Sequence, residues 1–151
     1  MIDAARQATP AGASANFDVR DDNGASLESG KYGAVVCSSV IEFVPDPQAL
    51  LQNLHRACRP GALLALSFSN RNSLFRAYAK YRSGPKLPHY AAQYNAWSAS
   101  EAKDIINRAG FTVRSGPVYF EASAFDKRPW LKPMVSLPFI GILGFLTATR
   151  N

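Results

Sequence analysis

The fold is decided by the stretch from Tyr32 to Asn70, which reads YGAVVCSSVIEFVPDPQALLQNLHRACRPGALLALSFSN. The pattern is typical of a strand, a turn, a helix, a second turn and a second strand. The first apolar run is rich in β-branched residues from Val35 to Cys37, and we expect it to continue past two serines to Val44. Two apolar strands joined by a helix form a βαβ unit, which predicts a parallel sheet and the α/β fold class.

The helix inside this stretch has clear start and stop signals. Asp46 can accept hydrogen bonds from free N–H groups, and Pro47 suits the first helical position because no N–H is needed there. Apolar residues then recur at steps of three and four, which predicts one buried stripe. The stripe consists of Leu50, Leu51, Leu54 and Ala57 or Cys58. An Arg-Pro-Gly turn ends the helix, and residues 62–68 form the second apolar strand.

The flanking sequence adds further elements, and a length of 151 residues fits one domain. Residues 1–9 are helix-forming, and Asn16 to Arg20 alternates as a short strand does. Ser98 and Glu101 form a capping-box signature that opens a helix over residues 98–109. Strands are predicted within 111–122, where a Gly-Pro pair interrupts them, and over 143–149.

The segment from Arg71 to Trp97 differs from the rest because it is rich in Arg, Tyr, Asn and Pro. It is too long for a plain connection, so it is either an insert that covers a substrate as a lid or an irregular helix at the sheet edge. His89 stands in it beside aromatic residues that include Tyr94. A lone histidine is more often structural than catalytic, yet this one and Tyr94 are candidates for polar substrate contact.

The composition is that of a globular protein with 47% hydrophobic and 19% charged residues and a net charge of +6. Much of the basic charge lies between Arg71 and Lys132. It forms either a solvated face or a surface that attracts anions, phosphates or anionic lipid head groups. No basic run is dense enough to indicate a nucleic-acid partner.

The two cysteines, Cys37 and Cys58, fall in elements that should be buried and show neither metal-ligand spacing nor a CxxC motif. They indicate inert thiols in a reducing compartment, and the polar N-terminus shows no signal peptide, so we expect a cytoplasmic protein. The apolar stretch from Met134 to Thr149 is shorter than the about 20 residues that a spanning helix needs. A loop followed by a buried strand is favoured there over membrane contact.

The sequence contains no GxSxG, P-loop, HExxH or GxGxxG motif, and no catalytic residue can be assigned. Ligands of open parallel sheets bind outside the carboxyl ends of the strands, so polar residues at those ends are the candidates for a site. They are Asp21 and Asp22 after the first strand, Ser38, Ser39 and Glu42 after the central one, and Ser69, Asn70 and Arg71 after the next.

The segment VVCSSVIEFVPDPQALLQNLHRACRPGALLALSFSN resembles the second half of a class I S-adenosylmethionine-dependent methyltransferase. It is similar to that family's fourth strand, xEHV-like turn, D-P-x-x-x-L helix, Arg-Pro-Gly turn and fifth strand. NFDVRDD resembles the third strand with its terminal acid. SASEAKDIINRAGFTV resembles the last helix and sixth strand, and LGFLTATR the seventh strand. The resemblance covers the chain as one methyltransferase-like domain over residues 1–151.

This resemblance implies S-adenosylmethionine as cofactor and assigns roles to the strand-end residues. Asp21 would receive the adenine amino group and Asp22 would flank the ring. Cys37, Ser38 and Ser39 would line the floor near the methionine part. Asn70 and Arg71 would border the acceptor, as would Glu42, although the family's usual E-H-V turn here has Phe43 in place of histidine.

The family's first strand, its glycine-rich GxGxG loop and its second strand have no counterpart in the sequence. In the family's strand order, 3-2-1-4-5-7-6, these strands separate the third from the fourth. We therefore expect a partial sheet of order 4-5-7-6 whose residue 34–37 strand is an exposed edge. That edge would pair with a missing N-terminal half or with a second copy, and the first 30 residues would be mobile or docked elsewhere.

The resemblance predicts methyl transfer from S-adenosylmethionine to a small-molecule acceptor, with the activity of the chain alone in question. Such an in-line displacement needs positioning and exclusion of water rather than a strong protein nucleophile. A non-catalytic interaction module that retains half of the fold is the first alternative. An enzyme with a lipid-like acceptor or membrane-surface contact is the second, suggested by the basic insert and the apolar stretch at 134–149.

Overall fold

The structure is a computed structural model that describes residues 2–10, 12, 14–19, 23–83, 93–120 and 129–151. Within these residues there are four α-helices and five strands. The helices are α1 (Ile2–Ala8), α2 (Pro47–Ala57), α3 (Leu74–Ser83) and α4 (Ala99–Arg108). The strands are β1 (Tyr32–Cys37), β2 (Cys58–Ser69), β3 (Phe111–Val113), β4 (Val118–Phe120) and β5 (Leu143–Arg150).

The sheet has the order β1-β2-β5-β3, and β4 also pairs with β5. β1 and β2 are parallel, with Val36 opposite Ala65, so the predicted βαβ unit is confirmed. β5 runs antiparallel to β2, with Leu66 opposite Leu146. β3 and β4 both pair antiparallel with β5, because the Gly-Pro interruption splits one predicted strand into two. The predicted order of the partial sheet is thus observed.

Helices α2 and α4 cover one face of this sheet. Their apolar stripes meet the inward residues of β2 and β5 in a single core that contains Leu51, Ile106, Leu64 and Leu146, none of which is accessible to solvent. Burial of such side chains stabilises the fold by about 1.5–3 kcal/mol each. The opposite face lacks such a layer in the described part of the chain.

The start of α2 and both ends of α4 were predicted correctly, whereas the predicted Arg-Pro-Gly turn after α2 is the beginning of strand β2. The Asp46 side chain accepts a hydrogen bond from Ala49 N at 2.9 Å, and Pro47 is the first helical residue of α2. At α4, the Ser98 side chain accepts from Glu101 N and Glu101 Oε2 accepts from Ser98 N, which completes the capping box. Gly110 follows α4 with a φ of 99°, a conformation that glycine adopts without strain.

Two strand predictions were wrong. Residues 16–19 form no strand in the structure. The family's second strand, which would pair with them, has no counterpart in the sequence. The apolar run also does not continue to Val44, since Ser39 adopts a positive φ of 52° and Ile41–Phe43 forms a 3₁₀ turn. That turn sends Ile41 into the core instead of along the sheet.

Residues 23–31 dock on α2. For this part of the N-terminal segment, the structure thus agrees with docking, which was one of the two predicted possibilities. Asn53 Nδ2 donates to Asn23 O at 3.2 Å, and Arg56 Nη2 donates to Ala25 O at 2.6 Å. Leu27 packs against the core. β1 nevertheless remains at the edge of the sheet, and Val36 on it is 73% exposed.

The apolar C-terminal stretch forms a 3₁₀ segment, Pro129–Ser136, followed by strand β5. The preferred prediction of a loop and a buried strand is therefore confirmed. Within the ranges that the structure describes, no helix is both long enough and apolar enough to cross a membrane.

Candidate functional site

The parallel strands β1 and β2 end side by side, and their polar residues meet there. Ser67 lies fully buried on β2, and its hydroxyl accepts a hydrogen bond from Ser39 N at 2.7 Å and lies 3.5 Å from Ser38 Oγ. Ser38 and Ser39 are themselves exposed. Two of the predicted cofactor residues thus present hydroxyls at the carboxyl edge of the sheet, where ligands of such sheets bind.

Glu42 is the buried acid of this edge. Its side chain is 1% exposed, and Oε1 accepts a long hydrogen bond of 3.5 Å from the Ser69 hydroxyl. Oε2 is buried and has no hydrogen-bond partner within the described residues. Burial raises the pKa of Glu42, while hydrogen bonds at Glu42 and the positive charge of Arg76 oppose that rise. The group therefore favours its protonated form more than an ordinary carboxyl does.

Cys37 differs from its serine neighbours because its side chain lies in the core. It is 5% exposed, and burial raises the pKa of its thiol to about 12, with a smaller contribution from the nearby Glu42. A thiol in this state is not a nucleophile. The position of Cys37 near the cofactor stays a prediction. Any contact with the cofactor there would involve the backbone of Cys37 or van der Waals packing of its side chain.

Asn70 and Arg71 follow β2 and are held by protein contacts. Asn70 is fully buried, and its Nδ2 donates to Pro138 O and Gly141 O, both at 2.8 Å. Arg71 is half exposed; it donates twice to Ala96 O and pairs with Glu101 Oε1 at 2.9 Å. These contacts fix the end of β2, and the predicted role of both residues beside the acceptor stays a prediction.

The end of the insert, residues 93–97, is attached to both strand ends. Tyr94 N donates to Glu42 O at 2.8 Å, and Asn95 Nδ2 donates to Val44 O at 3.3 Å. Trp97 N donates to Ser69 O at 2.9 Å. Tyr94 was predicted to contact the substrate. It is 68% exposed, so its side chain is accessible to a ligand that binds next to the strand ends.

A cavity of about 180 Å³ opens between α3 and this segment. The described residues that line it are Arg76, Lys80, Gln93, Tyr94, Asn95 and Ala96. A larger pocket of about 520 Å³ lies near the N-terminus, with Arg6 and Phe17 among its lining residues. The described lining residues of that larger pocket include none of the polar residues that follow β1 and β2.

Three predicted site residues, Asp21, Asp22 and His89, lie outside the described residues. Sequence reasoning gave no individual role to Ser67, Ser69 or Arg76, which the structure places in contact with the site. The alternation of serines on the last part of β2 was a usable signal, since residues two apart share one face of a strand. Arg76 gave no such signal because the fold alone brings α3 beside Glu42.

Comparison with protein families gives a match over residues 1–115 to the family described as methyltransferase domain. Among curated proteins, the ubiquinone biosynthesis O-methyltransferase of Acinetobacter baumannii (strain AYE) is 29% identical over 122 residues, which is 77% of this chain and 50% of that protein. The protein of the same name from Coxiella burnetii (strain Dugway 5J108-111) is 30% identical over 109 residues, 63% of this chain and 46% of that one. The chain thus spans about half the length of these relatives.

Solved structures show the same fold. An S-adenosylmethionine-dependent methyltransferase from Mesorhizobium loti superposes with a TM-score of 0.72 at 16% identity, covering 99% of this chain and 76% of that one. Magnesium protoporphyrin IX methyltransferase from Synechocystis PCC 6803, solved with bound SAH, gives a TM-score of 0.63 at 21% identity, covering 99% and 57%. With its partial Rossmann-like sheet and its match over residues 1–115, this chain belongs to the class I S-adenosylmethionine-dependent methyltransferase family, whose cofactor is S-adenosylmethionine.

Proposed function

We propose that this chain is the acceptor-side part of an S-adenosylmethionine-dependent O-methyltransferase that acts on a hydroxyl group of a small molecule. Membership of the methyltransferase family supports the reaction class. The names of the Acinetobacter and Coxiella relatives support oxygen as the atom methylated and a ubiquinone precursor as the kind of acceptor.

The observation that carries the proposal is the buried carboxyl of Glu42 at the carboxyl end of β1. A buried polar atom without a partner costs about 1–3 kcal/mol, and Glu42 Oε2 has none in the described part of the chain. A hydroxyl of the acceptor would supply the missing hydrogen bond. Glu42 would then orient the acceptor oxygen and take its proton.

The residues present fit one side of a cofactor site. The exposed hydroxyls of Ser38 and Ser39 lie at the sheet edge and can bind polar groups of the cofactor. The bound cofactor supplies an electrophilic methyl group on a sulfonium. Transfer of that methyl group would break the S–CH₃ bond as the O–CH₃ bond forms, and Glu42 would receive the proton of the acceptor hydroxyl. What this chain contributes is the position of the acceptor and the exclusion of water.

We further propose that the remaining cofactor contacts come from a segment that pairs with the edge strand β1. β1 stands at the end of the sheet in the described part of the chain, and its apolar residue Val36 is 73% exposed. Such an edge pairs readily with another strand. That segment would then carry the glycine-rich loop of the family and supply the loop's contacts with the cofactor. This arrangement also accommodates the alternative function, a non-catalytic module that binds a partner through the same edge.

A radiometric transfer assay tests the proposal, with labelled S-adenosylmethionine and catechol as acceptor. The chain is assayed alone and together with the N-terminal half of the Acinetobacter relative. We expect label on the phenolic oxygen, with E42Q slowing transfer by about a hundredfold or more. The matched control is E28Q, which changes an exposed glutamate that precedes β1, whereas Glu42 follows it. No product in either arrangement would contradict the proposal.

Calorimetry and sedimentation separate the partner alternatives. A chain that binds S-adenosylhomocysteine tightly by itself does not need the proposed segment. Concentration-dependent self-association that V36K abolishes indicates a homodimer through β1. A monomer that binds the cofactor product only when the second half is present supports pairing with that segment and opposes a purely non-catalytic role.

We propose a lipid-like acceptor as the finer substrate class, supported by two exposed apolar side chains near β5. Met134 and Phe139 are 40% and 47% exposed. Co-sedimentation with anionic vesicles at low and high salt tests the associated membrane-surface contact. If the chain does not bind the vesicles at low salt, the proposed membrane-surface contact is contradicted.

A cytoplasmic location is also a proposal, supported by the state of the thiols. Cys37 and Cys58 are both free and buried. Free thiols are usual in reducing compartments. Imaging of a fluorescent fusion in the native host tests the location, and an extracytoplasmic signal contradicts it.

A further inference from the structure

The cavity between α3 and residues 93–96 combines charge, an aromatic ring and a fixed wall. Arg76 and Lys80 stand four residues apart on α3, so their side chains share one face of the helix. Both line the cavity, and its other described lining residues carry no formal charge. The cavity therefore has a positive wall.

The facing wall is held in place by the strand ends. Tyr94 N is bound to Glu42 O, and Ala96 O accepts two hydrogen bonds from the Arg71 guanidinium. On the α3 side, Arg76 Nη2 donates to Gln93 Oε1, which ties the guanidinium to this wall. Groups held in this way need little reordering when a ligand binds, which favours affinity.

The size of the cavity limits what it can hold. About 180 Å³ is below the roughly 300–1,000 Å³ that encloses a whole drug-sized ligand. The cavity therefore suits one group of a larger molecule. The Tyr94 ring is 68% exposed at this site and offers an aromatic face on which a planar ligand can stack.

We propose that this cavity is a subsite for the carboxylate of an aromatic acceptor, with Arg76 and Lys80 supplying the positive charge and Tyr94 the stacking surface. The inference rests on the proposed function in so far as it names the acceptor's class. Arginine and lysine both bind carboxylates, and the planar guanidinium of Arg76 matches the geometry of that group. The subsite lies beside Glu42, which would orient the acceptor hydroxyl at the other end of the same molecule.

The test is binding of 3,4-dihydroxybenzoate to the 151-residue chain, followed by backbone amide shifts in NMR spectra. 3,4-Dihydroxybenzamide, which has the same shape without the charge, is the comparison probe. We expect the acid to bind at least several-fold more tightly than the amide and to shift the amides of Tyr94, Asn95 and Ala96. R76Q and K80Q should each weaken binding of the acid by about three- to tenfold at low salt and leave binding of the amide unchanged.

The matched controls are K103Q and R108Q on α4, which make the same two changes outside the described lining of the cavity. They should leave binding of the acid unchanged, and circular dichroism should show that all four variants fold. Equal binding of acid and amide, shifts located elsewhere, or tighter binding of inorganic phosphate would each overturn the subsite.

The binding test and the methyl-transfer assay can fail independently of each other. Methyl transfer to catechol together with equal binding of acid and amide refutes the subsite alone. Binding of the acid that depends on Lys80, without methyl transfer in any arrangement, supports the anion site and refutes the proposed reaction.

Discussion

The end of the Phe68 ring lies against the backbone of Gly144, its register partner on β5. A Cβ at position 144 would come within 2.7 Å of Phe68 Cε1, well inside van der Waals contact. Phe68 is fully buried, so any shift of its ring would have to displace neighbouring core side chains. Glycine at 144 is therefore what lets the largest side chain of β2 fill the middle of the sheet.

G144A should destabilise the chain by about 1–3 kcal/mol or more, because the added methyl overpacks a closed core. Urea unfolding followed by circular dichroism measures the loss. G116A is the matched control, since a Cβ at Gly116 meets nothing within 4 Å, and its effect should stay within about 0.5 kcal/mol. Equal stability of the two variants would show that the Phe68 ring can be displaced.

The cap of α2 allows a second prediction. Asp46 accepts a hydrogen bond from Ala49 N at 2.9 Å, so D46A should lower the free energy of unfolding by about 1 kcal/mol. D46N keeps an acceptor oxygen at the same place and should retain most of that stability. D104A, a change at an exposed aspartate within α4, serves as the control in the same urea experiment. A D46N loss as large as that of D46A would show that the charge, not the hydrogen bond, is what matters.

Features that arise from neighbouring residues were predictable from the sequence, and features that join distant segments were not. Asp46 and the Ser98–Glu101 box act within one helical turn, so their spacing alone identifies them. The edge position of β1 followed from the family strand order. The contact of Phe68 with Gly144 joins positions far apart in the chain, and no local sequence pattern predicts it.

The site shows the same division. Ser38, Ser39 and Glu42 were identified because polar residues follow an apolar strand. The apolar pattern alone predicted a strand through Ile41–Phe43, because a short apolar run fits a strand and a buried turn equally well, whereas the family resemblance placed a turn there. The cavity beside Arg76 was missed because its walls, α3 and residues 93–96, come together through tertiary contacts such as the hydrogen bond from Arg76 Nη2 to Gln93 Oε1, which no local pattern predicts.

The cysteines should be unreactive in the folded chain. Cys37 is 5% exposed and its pKa is raised to about 12 by burial, and Cys58 is fully buried with its pKa also raised. Thiolate is the reactive form, so a disulfide reagent at pH 8 should label neither residue. The reaction in urea should label both, which provides the internal control. Rapid labelling of a native thiol would show that β1 or the start of β2 opens readily.

Glu42 gives a prediction for the pH dependence of stability. Burial raises its pKa above the ordinary value of 4.5, so the folded chain binds its proton more tightly than the unfolded chain does. The stability contributed by this preference is fully present below about pH 4.5, the unfolded value. It is lost as the pH rises through the folded-state pKa.

E42Q removes this dependence, because glutamine stays neutral and has nearly the same shape. The difference in unfolding free energy between wild type and E42Q should therefore shift in favour of E42Q as the pH rises from 4.5 to 7.5. Urea unfolding of both proteins across this range measures the difference, in which the titration of all other groups largely cancels. E28Q, a change at an exposed glutamate that pairs with Lys31, is the control variant in the same experiment. A wild-type advantage that grows with pH would mean that Glu42 is stabilised as a carboxylate, and a charged group would then accept the hydrogen bond of the acceptor hydroxyl.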